Sequence, residues 1–270
     1  MDYHETQPLA VRVIYIIPTD AEPWGEAKQR ATECLEDIQW FFADEMERWD
    51  YGLKTFKIAT DNADSVVFHQ IKSGLTKNDF GNVYWNNCKN TAQEYGLRNL
   101  NYATVYFYEA YSITNGMVNA GSKGWARGKG GEAFLSSFHL KVAIRDWIAD
   151  SSGYGGRVFD WIDSAPLAEN LRVGKNKRGP ALGDLSGAGF GIIAHELAHC
   201  FALPRQEAMK PGHNGPLMGN GFLGMRGYFR PDLTDDRCVL RKEDAAALDK
   251  SDFFGFRKLK PKSISFMKGN

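Results

Sequence analysis

Two histidines and a glutamate form the motif of this chain best suited to chemistry. His195, Glu196 and His199 occupy the pattern HExxH in the stretch HELAH. Histidines four positions apart on an α-helix lie one above the other, so both imidazoles can reach a single cation. Glu196 lies on a neighbouring face, close enough to touch a metal-bound water without binding the metal itself. The spacing therefore predicts one Zn²⁺ ion, with Glu196 as general base for hydrolysis of an amide bond.

The flanking sequence supplies the helix that this geometry needs. Apolar residues recur at helical spacing, Pro204 ends the run, and Asp184 and Ser186 are candidate N-caps. Glycines within the run indicate close packing by another element or an irregular first turn. These glycines are Gly187, Gly189 and Gly191. The alternative is a buried helix whose histidines only make hydrogen bonds in the core.

Composition limits the class of protein. The chain has 270 residues, 43% hydrophobic, with a formal net charge of +0, which suits one large domain with a substantial core. Equal acidic and basic counts give no electrostatic reason to expect nucleic acid or an anionic membrane as partner. No apolar run has the length of a membrane span, and we expect a monomer. The first residues are too polar and acidic for a signal peptide. Four cysteines leave disulfides and buried thiols equally open.

Strand and helix patterns alternate along the chain. Buried, β-branched runs predict strands at residues 9–17 and 103–108. Helical periodicity predicts long helices at residues 24–49 and 82–95 and a shorter helix at residues 242–248. This order is typical of an α/β (α+β) fold in which helices cover a mixed, twisted sheet.

Several stretches between these elements bear on a substrate cleft. Residues 54–60 and 65–71 predict a hairpin. Residues 121–131, rich in glycine and cations, predict a mobile loop that leads into an edge strand at residues 133–137, where an extended peptide could pair. Residues 153–183 predict a long surface segment that walls part of the cleft. His139 is expected to be structural.

The stretch HELAHCFALP, followed downstream by PLMGNG, resembles the metzincin clan of zinc metallopeptidases, particularly secreted bacterial and fungal members with a Leu-Met-Gly turn after the zinc helix. The clear resemblance covers residues 190–228. It implies one catalytic domain over residues 1–270, with an upper part to about residue 203 that holds the mixed sheet, two long helices and the zinc helix. A smaller, irregular lobe follows from about residue 204. The resemblance also implies a secreted or extracytoplasmic enzyme that acts on peptides or proteins.

The resemblance also implies roles for individual residues. His195 and His199 match the first two zinc ligands, Glu196 the general base, and Met218 the turn methionine beneath the metal. Tyr228 lies where some metzincins use a tyrosine to bind the metal or the oxyanion, although a core or rim aromatic is the simpler interpretation.

The third ligand departs from the metzincin pattern. HExxHxxGxxH would place glycine at 202 and histidine at 205, but this chain has Ala202 and Arg205. Arginine stays protonated and has no lone pair to give, and alanine disfavours the left-handed turn that glycine allows at the helix exit. We predict that His213 from a longer loop supplies the third ligand. The other candidates are Glu207, Asp235 and Glu243.

These features predict a zinc endopeptidase. One alternative keeps the metal but changes the substrate to a non-peptide or cell-wall amide, which a small closed pocket would favour. A second alternative is a non-catalytic binding protein on a peptidase fold, which absence of metal would favour.

Overall fold

The structure is a computed structural model that describes residues 9–63, 65–81, 83–114, 117–149, 182–204, 215–219, 221–232, 237–257 and 259. Its strands are β1 (Val11–Ile17), β2 (Lys54–Phe56), β3 (Phe68–Lys72), β4 (Ala103–Tyr108), β5 (Ser112–Thr114), β6 (Met117–Asn119), β7 (Ser122–Arg127), β8 (Gly130–Ser136), β9 (Gly215–Pro216), β10 (Cys238–Val239) and β11 (Phe254–Phe256). Its α-helices are α1 (Ala27–Arg48), α2 (Lys77–Phe80), α3 (Tyr84–Glu94), α4 (Ser137–Val142), α5 (Leu182–Cys200), α6 (Met225–Phe229) and α7 (Lys242–Asp249).

A five-stranded sheet organises these elements, in the order β3-β1-β4-β8-β7. Neighbouring strands from β3 to β8 pair in parallel, whereas β7 runs antiparallel to β8 and forms one edge of the sheet. All residues of β1, β4 and β8 are buried, as expected for strands covered by helices on both faces. The predicted mixed α/β fold is confirmed.

The two faces of the sheet carry separate hydrophobic clusters. Side chains alternate along a strand, so Val13 and Tyr15 of β1 join the cluster shared with α1 and α5, while Ile14 and Ile16 join the cluster shared with α2 and α3. The helix predicted at residues 24–49 is α1, the one at 82–95 is α3, and the one at 242–248 is α7.

The predicted hairpin was wrong, because its two strands belong to different sheets. β3 pairs in parallel with β1 at the sheet edge, and β2 pairs antiparallel with β11. Between the two predicted strands, a single bridge joins Thr60 and Val66.

The position of the second sheet edge was also wrong. The edge strand is β7, within the stretch predicted as a mobile loop, and the stretch predicted as edge is interior strand β8. A glycine-rich sequence suggested a loop, but Gly124 and Gly131 lie where the backbone of α5 packs directly on the two strands.

Helix α5 begins earlier than the candidate caps suggested. Asp184 and Ser186 lie inside the helix, where Asp184 accepts an ion pair from Arg226 at 2.8 Å and Ser186 Oγ donates to the carbonyl of Ile144 at 2.7 Å. The surface segment predicted at residues 153–183 lies almost wholly outside the described residues.

Aromatic residues from distant parts of the chain pack together in the core between α1 and the end of α5. Phe254 of β11 packs edge-on against Phe42 of α1 and against Phe201 after α5, with ring centroids 5.5 and 5.2 Å apart. Phe253 is buried as well, whereas Phe256 is 70% exposed. Phe253 and Phe254 therefore belong to the core, and Phe256 lies at its surface.

The four cysteines carry free, buried thiols in four different elements or their ends. Burial raises the pKa of each thiol well above its usual value. They are Cys34, Cys88, Cys200 and Cys238. In the part of the chain that the structure describes, no helix is both long and apolar enough to cross a membrane. The division of the chain at about residue 203 stays a prediction.

Candidate active site

Helix α5 lies in the hydrophobic core that it shares with α1, and other segments pack on its glycines. A Cβ at Gly191 would overlap the carbonyl of Phe222, and one at Gly187 would lie 2.5 Å from the amide nitrogen of Arg226. A Cβ at Gly189 would meet the carbonyl of His139 at 2.9 Å. The glycines of α5 therefore mark close packing, one of the two interpretations open from the sequence.

The HExxH residues lie on one accessible side of α5. One candidate ligand atom from each of His195, Glu196 and His199 lies within 4.8 Å of the other two. The two imidazole rings are perpendicular, with centroids 4.9 Å apart. His195 and Glu196 are 9% and 7% exposed, and both line the cleft described below.

Backbone carbonyls fix the tautomer of both histidines. His195 Nδ1 lies 2.7 Å from the carbonyl oxygen of Leu217, and His199 Nδ1 lies 2.9 Å from that of Leu203. A carbonyl only accepts hydrogen bonds, so each Nδ1 carries the proton and each neutral ring has its lone pair on Nε2. Histidines that bind zinc usually donate their other nitrogen to such an acceptor.

This donor set fits a zinc ion. Two neutral imidazoles with Nε2 lone pairs, four residues apart on one helix, are ligands that Zn²⁺ prefers. Among the described residues, this is the one group of three or more histidine, cysteine, aspartate or glutamate side chains placed to hold a metal.

The exit from α5 uses an alanine in a conformation that favours glycine. Ala202 has φ +67°, and the amide of Leu203 then bonds the carbonyl of Ala198 at 3.2 Å. The left-handed turn brings the Leu203 carbonyl to His199. The chain thus makes this turn without the glycine of the metzincin pattern, with strain of about 1 kcal/mol or more at Ala202.

The other predicted site residues have different outcomes. Met218 is fully buried and directly follows Leu217, whose carbonyl orients His195. Tyr228, for which the resemblance also allowed a role at the metal or oxyanion, donates to Asp44 of α1 at 2.6 Å and packs edge-on against Phe41. This placement favours the core-aromatic interpretation of Tyr228. His213 lies outside the described residues.

A cavity of about 590 Å³ opens beside the HExxH residues. Its wall is polar near the HExxH residues and has apolar side chains elsewhere, and it extends from these residues past α4 and the N-terminal half of α5. The apolar side chains of the wall are Phe138, Val142, Leu185, Ala188, Ile192 and Phe222. A pocket of this size and character suits one or more side chains of a bound peptide.

His139 lines the same cavity as a neutral group. Its Nε2 lies 3.3 Å from the carbonyl of Ala120, and the residue is 6% exposed. Burial lowers the pKa of His139 to about 4, against smaller opposing effects of the carbonyls of Ala120 and Gly121. The expectation of a structural histidine agrees with this hydrogen bond, but His139 is also part of the cleft wall.

Edge strand β7 forms the rim of the cleft above α5. A Cβ on Gly124 would overlap the carbonyl oxygen of Glu196, and it would lie 3.1 Å from Glu196 Oε2. Ser122, Lys123 and Gly124 all line the cavity. Because β7 is a sheet edge, part of its main chain is available for pairing with an extended peptide.

Sequence reasoning missed the backbone contributions to this site. The carbonyls of Leu203 and Leu217 and the close approach of Gly124 carry no side-chain signal. The only available hint was position, since Leu217 precedes Met218 and Leu203 precedes the helix-ending Pro204.

Comparison with known proteins shows a shared fold without a close relative. Neither a protein-family model nor a curated protein matches this chain. Catalytically inactive OgpA from Akkermansia muciniphila, crystallised in complex with an O-glycopeptide (glycodrosocin) substrate, superimposes with a TM-score of 0.56 at 16% identity. That match covers 90% of this chain and 60% of OgpA.

Two further solved structures also match this chain at low sequence identity. Wild-type OgpA matches with a TM-score of 0.55 at 17% identity, over 92% of this chain and 62% of OgpA. Archaemetzincin from Methanopyrus kandleri matches with a TM-score of 0.34 at 12% identity, over 89% of this chain and 94% of that protein. This score is too low to indicate a shared fold. The chain spans about three fifths of the length of OgpA, and it shares the fold of that part.

Proposed function

We propose that this protein is a zinc-dependent peptidase of metzincin-like architecture. The single observation that carries the proposal is the orientation of His195 and His199, whose Nδ1 atoms lie against backbone carbonyls, so that in each neutral ring Nε2 is the nitrogen with the lone pair. A core histidine pair satisfied by hydrogen bonds alone would not need two rings held in this tautomer on one face of a helix.

The residues of the cleft divide the work of peptide hydrolysis. If His195 and His199 hold a zinc ion, the ion would supply a water of lowered pKa and a Lewis acid for the substrate carbonyl. Glu196 would take a proton from the attacking water on a carboxylate oxygen and return it to the nitrogen of the leaving amine. The edge of β7 would hold the substrate main chain, and the cavity would take a side chain.

His213 remains our candidate for the third ligand. Arg205 cannot bind the metal, and zinc sites that catalyse hydrolysis usually have three protein ligands. Glu243 is exposed on α7, and nothing else favours it.

The metal is tested by the zinc-to-protein ratio of the purified protein. We expect a ratio near one that falls in His213→Ala and in His195→Ala. The control is His69→Ala, because His69 lies on β3 at the opposite edge of the sheet from β7. An unchanged zinc affinity in His213→Ala would exclude that ligand alone, whereas no zinc after reloading would favour a non-catalytic binding protein.

The general base is tested by Glu196→Gln. The variant should keep zinc and lose a factor of about 10² to 10⁴ in peptide hydrolysis, since glutamine cannot take the proton. Glu47→Gln, on the exposed surface of α1, is the matched control. Undiminished cleavage by Glu196→Gln would contradict the mechanism.

The substrate panel should contain peptides with and without O-linked sugars. OgpA, which shares the fold, was crystallised with an O-glycopeptide substrate. Cleavage of neither form, together with hydrolysis of a small non-peptide amide, would favour the alternative of a zinc amidase.

A further inference from the structure

The face of β7 that points towards α3 carries a group of aromatic and cationic side chains. The proposed mechanism does not use them. Alternation along β7 directs Gly124 towards α5 and Lys123, Trp125 and Arg127 towards α3. Together with Trp85 and Lys89 of α3, these three residues form what we call the Trp125 patch.

Indole rings hold the two ammonium groups of the patch in place. Lys123 Nζ lies 4.0 Å from the centroid of Trp85 and 5.7 Å from that of Trp125. Lys89 Nζ lies 5.4 Å from the centroid of Trp125. These distances are within the range of cation–π attraction, so the positive charges are positioned before any ligand arrives.

Among the described residues, none forms an ion pair that neutralises the positive charge of the patch. Lys89, Lys123 and Arg127 form no ion pair with any residue that the structure describes. Glu132 lies nearby, but both of its oxygens accept from Arg98, at 2.9 and 3.1 Å. The whole chain has a formal net charge of +0, so the patch is a local excess of positive charge.

Neighbouring charges act on Lys89 besides burial. Burial is the largest cause of its lowered pKa, the charge of Glu132 opposes that shift, and the charges of Arg98, Arg127 and Lys123 lower the pKa further. An anionic group bound at the patch would relieve this repulsion.

The patch lies beside the path of a bound peptide. Lys123 itself lines the cavity next to the HExxH residues, and Arg127 follows three residues beyond Gly124, about 10 Å along the strand. A peptide paired with the edge of β7 would therefore carry its residues near the scissile bond past these cations.

We propose that the Trp125 patch selects peptide substrates with an aspartate or glutamate side chain within about four residues of the scissile bond. The proposal rests on the proposed peptidase function and names the substrate class of that same cleft. The carboxylate pairs with Lys123, Lys89 or Arg127, according to its position, while the indole rings hold the lysines.

Binding to the zinc-loaded Glu196→Gln protein tests the patch without turnover. The probes are pairs of short fluorescent peptides that differ only by glutamate or glutamine at one position, scanned along the peptide. We expect at least one pair in which the glutamate peptide binds about fivefold more tightly at low salt, since partly exposed ion pairs have this strength. The preference should vanish in 1 M NaCl, where the Debye length is about 3 Å.

Variants assign the preference to the patch. The preference should fall to about one in Lys123→Gln/Arg127→Gln and be reduced in Lys89→Gln. It should persist in Lys242→Gln, which removes an exposed lysine on α7. Equal binding within every pair, absence of binding, or a preference that survives the double variant and high salt would overturn the proposal. If the double variant does not fold, the salt dependence and the Lys89→Gln variant decide whether the preference belongs to the patch.

The outcomes separate the patch from the peptidase function. A glutamate preference in binding, with no peptide cleaved by the zinc-loaded wild type, supports the patch and contradicts the peptidase. Cleavage of glutamate and glutamine peptides at equal rates supports the peptidase and overturns the patch.

Discussion

His139 is a buried histidine of the cleft that lies outside the HExxH motif. Its imidazole is neutral in the folded protein because its pKa is lowered to about 4. In the unfolded chain the ordinary value is about 6.5. Below pH 6.5 the unfolded state therefore binds a proton that the folded state does not, so the stability that His139 contributes is fully present above pH 6.5 and is lost towards pH 4.

We predict that His139→Gln reduces the loss of stability between pH 6.5 and 4. Glutamine can still donate to the carbonyl of Ala120 but does not titrate. One buried proton site changes the free energy of unfolding by up to about 1.4 kcal/mol per pH unit, which urea unfolding at several pH values resolves. Parallel curves for wild type and variant would contradict the prediction.

Ala202 allows a second prediction at the scale of one residue. Glycine should relieve the left-handed strain at φ +67°, and Ala202→Gly should stabilise the protein by about 0.5–1 kcal/mol after the extra freedom of the unfolded chain is counted. Ala247→Gly in exposed α7 should destabilise by about 1 kcal/mol. Denaturant midpoints of the pair check both signs, and a loss of stability in Ala202→Gly would show that the turn is not strained.

At the scale of elements, the contact between β7 and α5 sets the position of the cleft rim relative to Glu196. Gly124 leaves no space for a side chain above the Glu196 backbone. Any group at this position must push the rim strand away from Glu196, or move α5 within a closely packed core.

Gly124→Ala should therefore cost about 1–3 kcal/mol of stability and lower kcat more than KM, because Glu196 is displaced. Gly25→Ala is the control, since a Cβ there meets no atom within 4 Å. Thermal unfolding and steady-state kinetics on one peptide measure the two effects. Wild-type kinetics in Gly124→Ala would show that the strand moves without disturbing Glu196.

The same contact explains why sequence predicted some elements and missed others. Helices α1, α3 and α7 and strands β1 and β4 carry strong periodic or β-branched patterns, so their positions follow from local sequence. Strand β7 does not, because Gly124 is required by its contact with Glu196 of α5, more than 70 residues later in the chain. The HExxH spacing predicted the cluster of His195, Glu196 and His199, but the carbonyls that orient the rings depend on tertiary structure.

At the scale of the whole molecule, β11 joins the end of the described chain to its beginning. β11 pairs with β2 across about 200 residues of sequence, and Lys54 of β2 forms an ion pair with Asp249 at 2.5 Å. Phe254 then reaches the aromatic cluster between α1 and α5. The packing around α5 thus depends on a strand that sequence periodicity did not predict.

Phe254→Ala should cost about 3–5 kcal/mol, as expected for a buried aromatic ring. Phe256→Ala, two residues later on the same strand but 70% exposed, should cost less than about 1 kcal/mol. Free energies of unfolding measure the pair. Equal effects would mean that β11 contributes through its backbone pairing and not through the aromatic cluster.

The four buried thiols offer a way to measure local opening of the fold. Cys34 lies in α1, Cys88 in α3, Cys200 at the end of α5 and Cys238 in β10. Because burial shields the thiols and raises their pKa values, we expect none to react in the folded state. The rate at which an alkylating reagent labels each thiol should therefore measure how often its own element opens. Mass spectrometry of variants that each keep one cysteine would rank α1, α3, α5 and β10 by local stability.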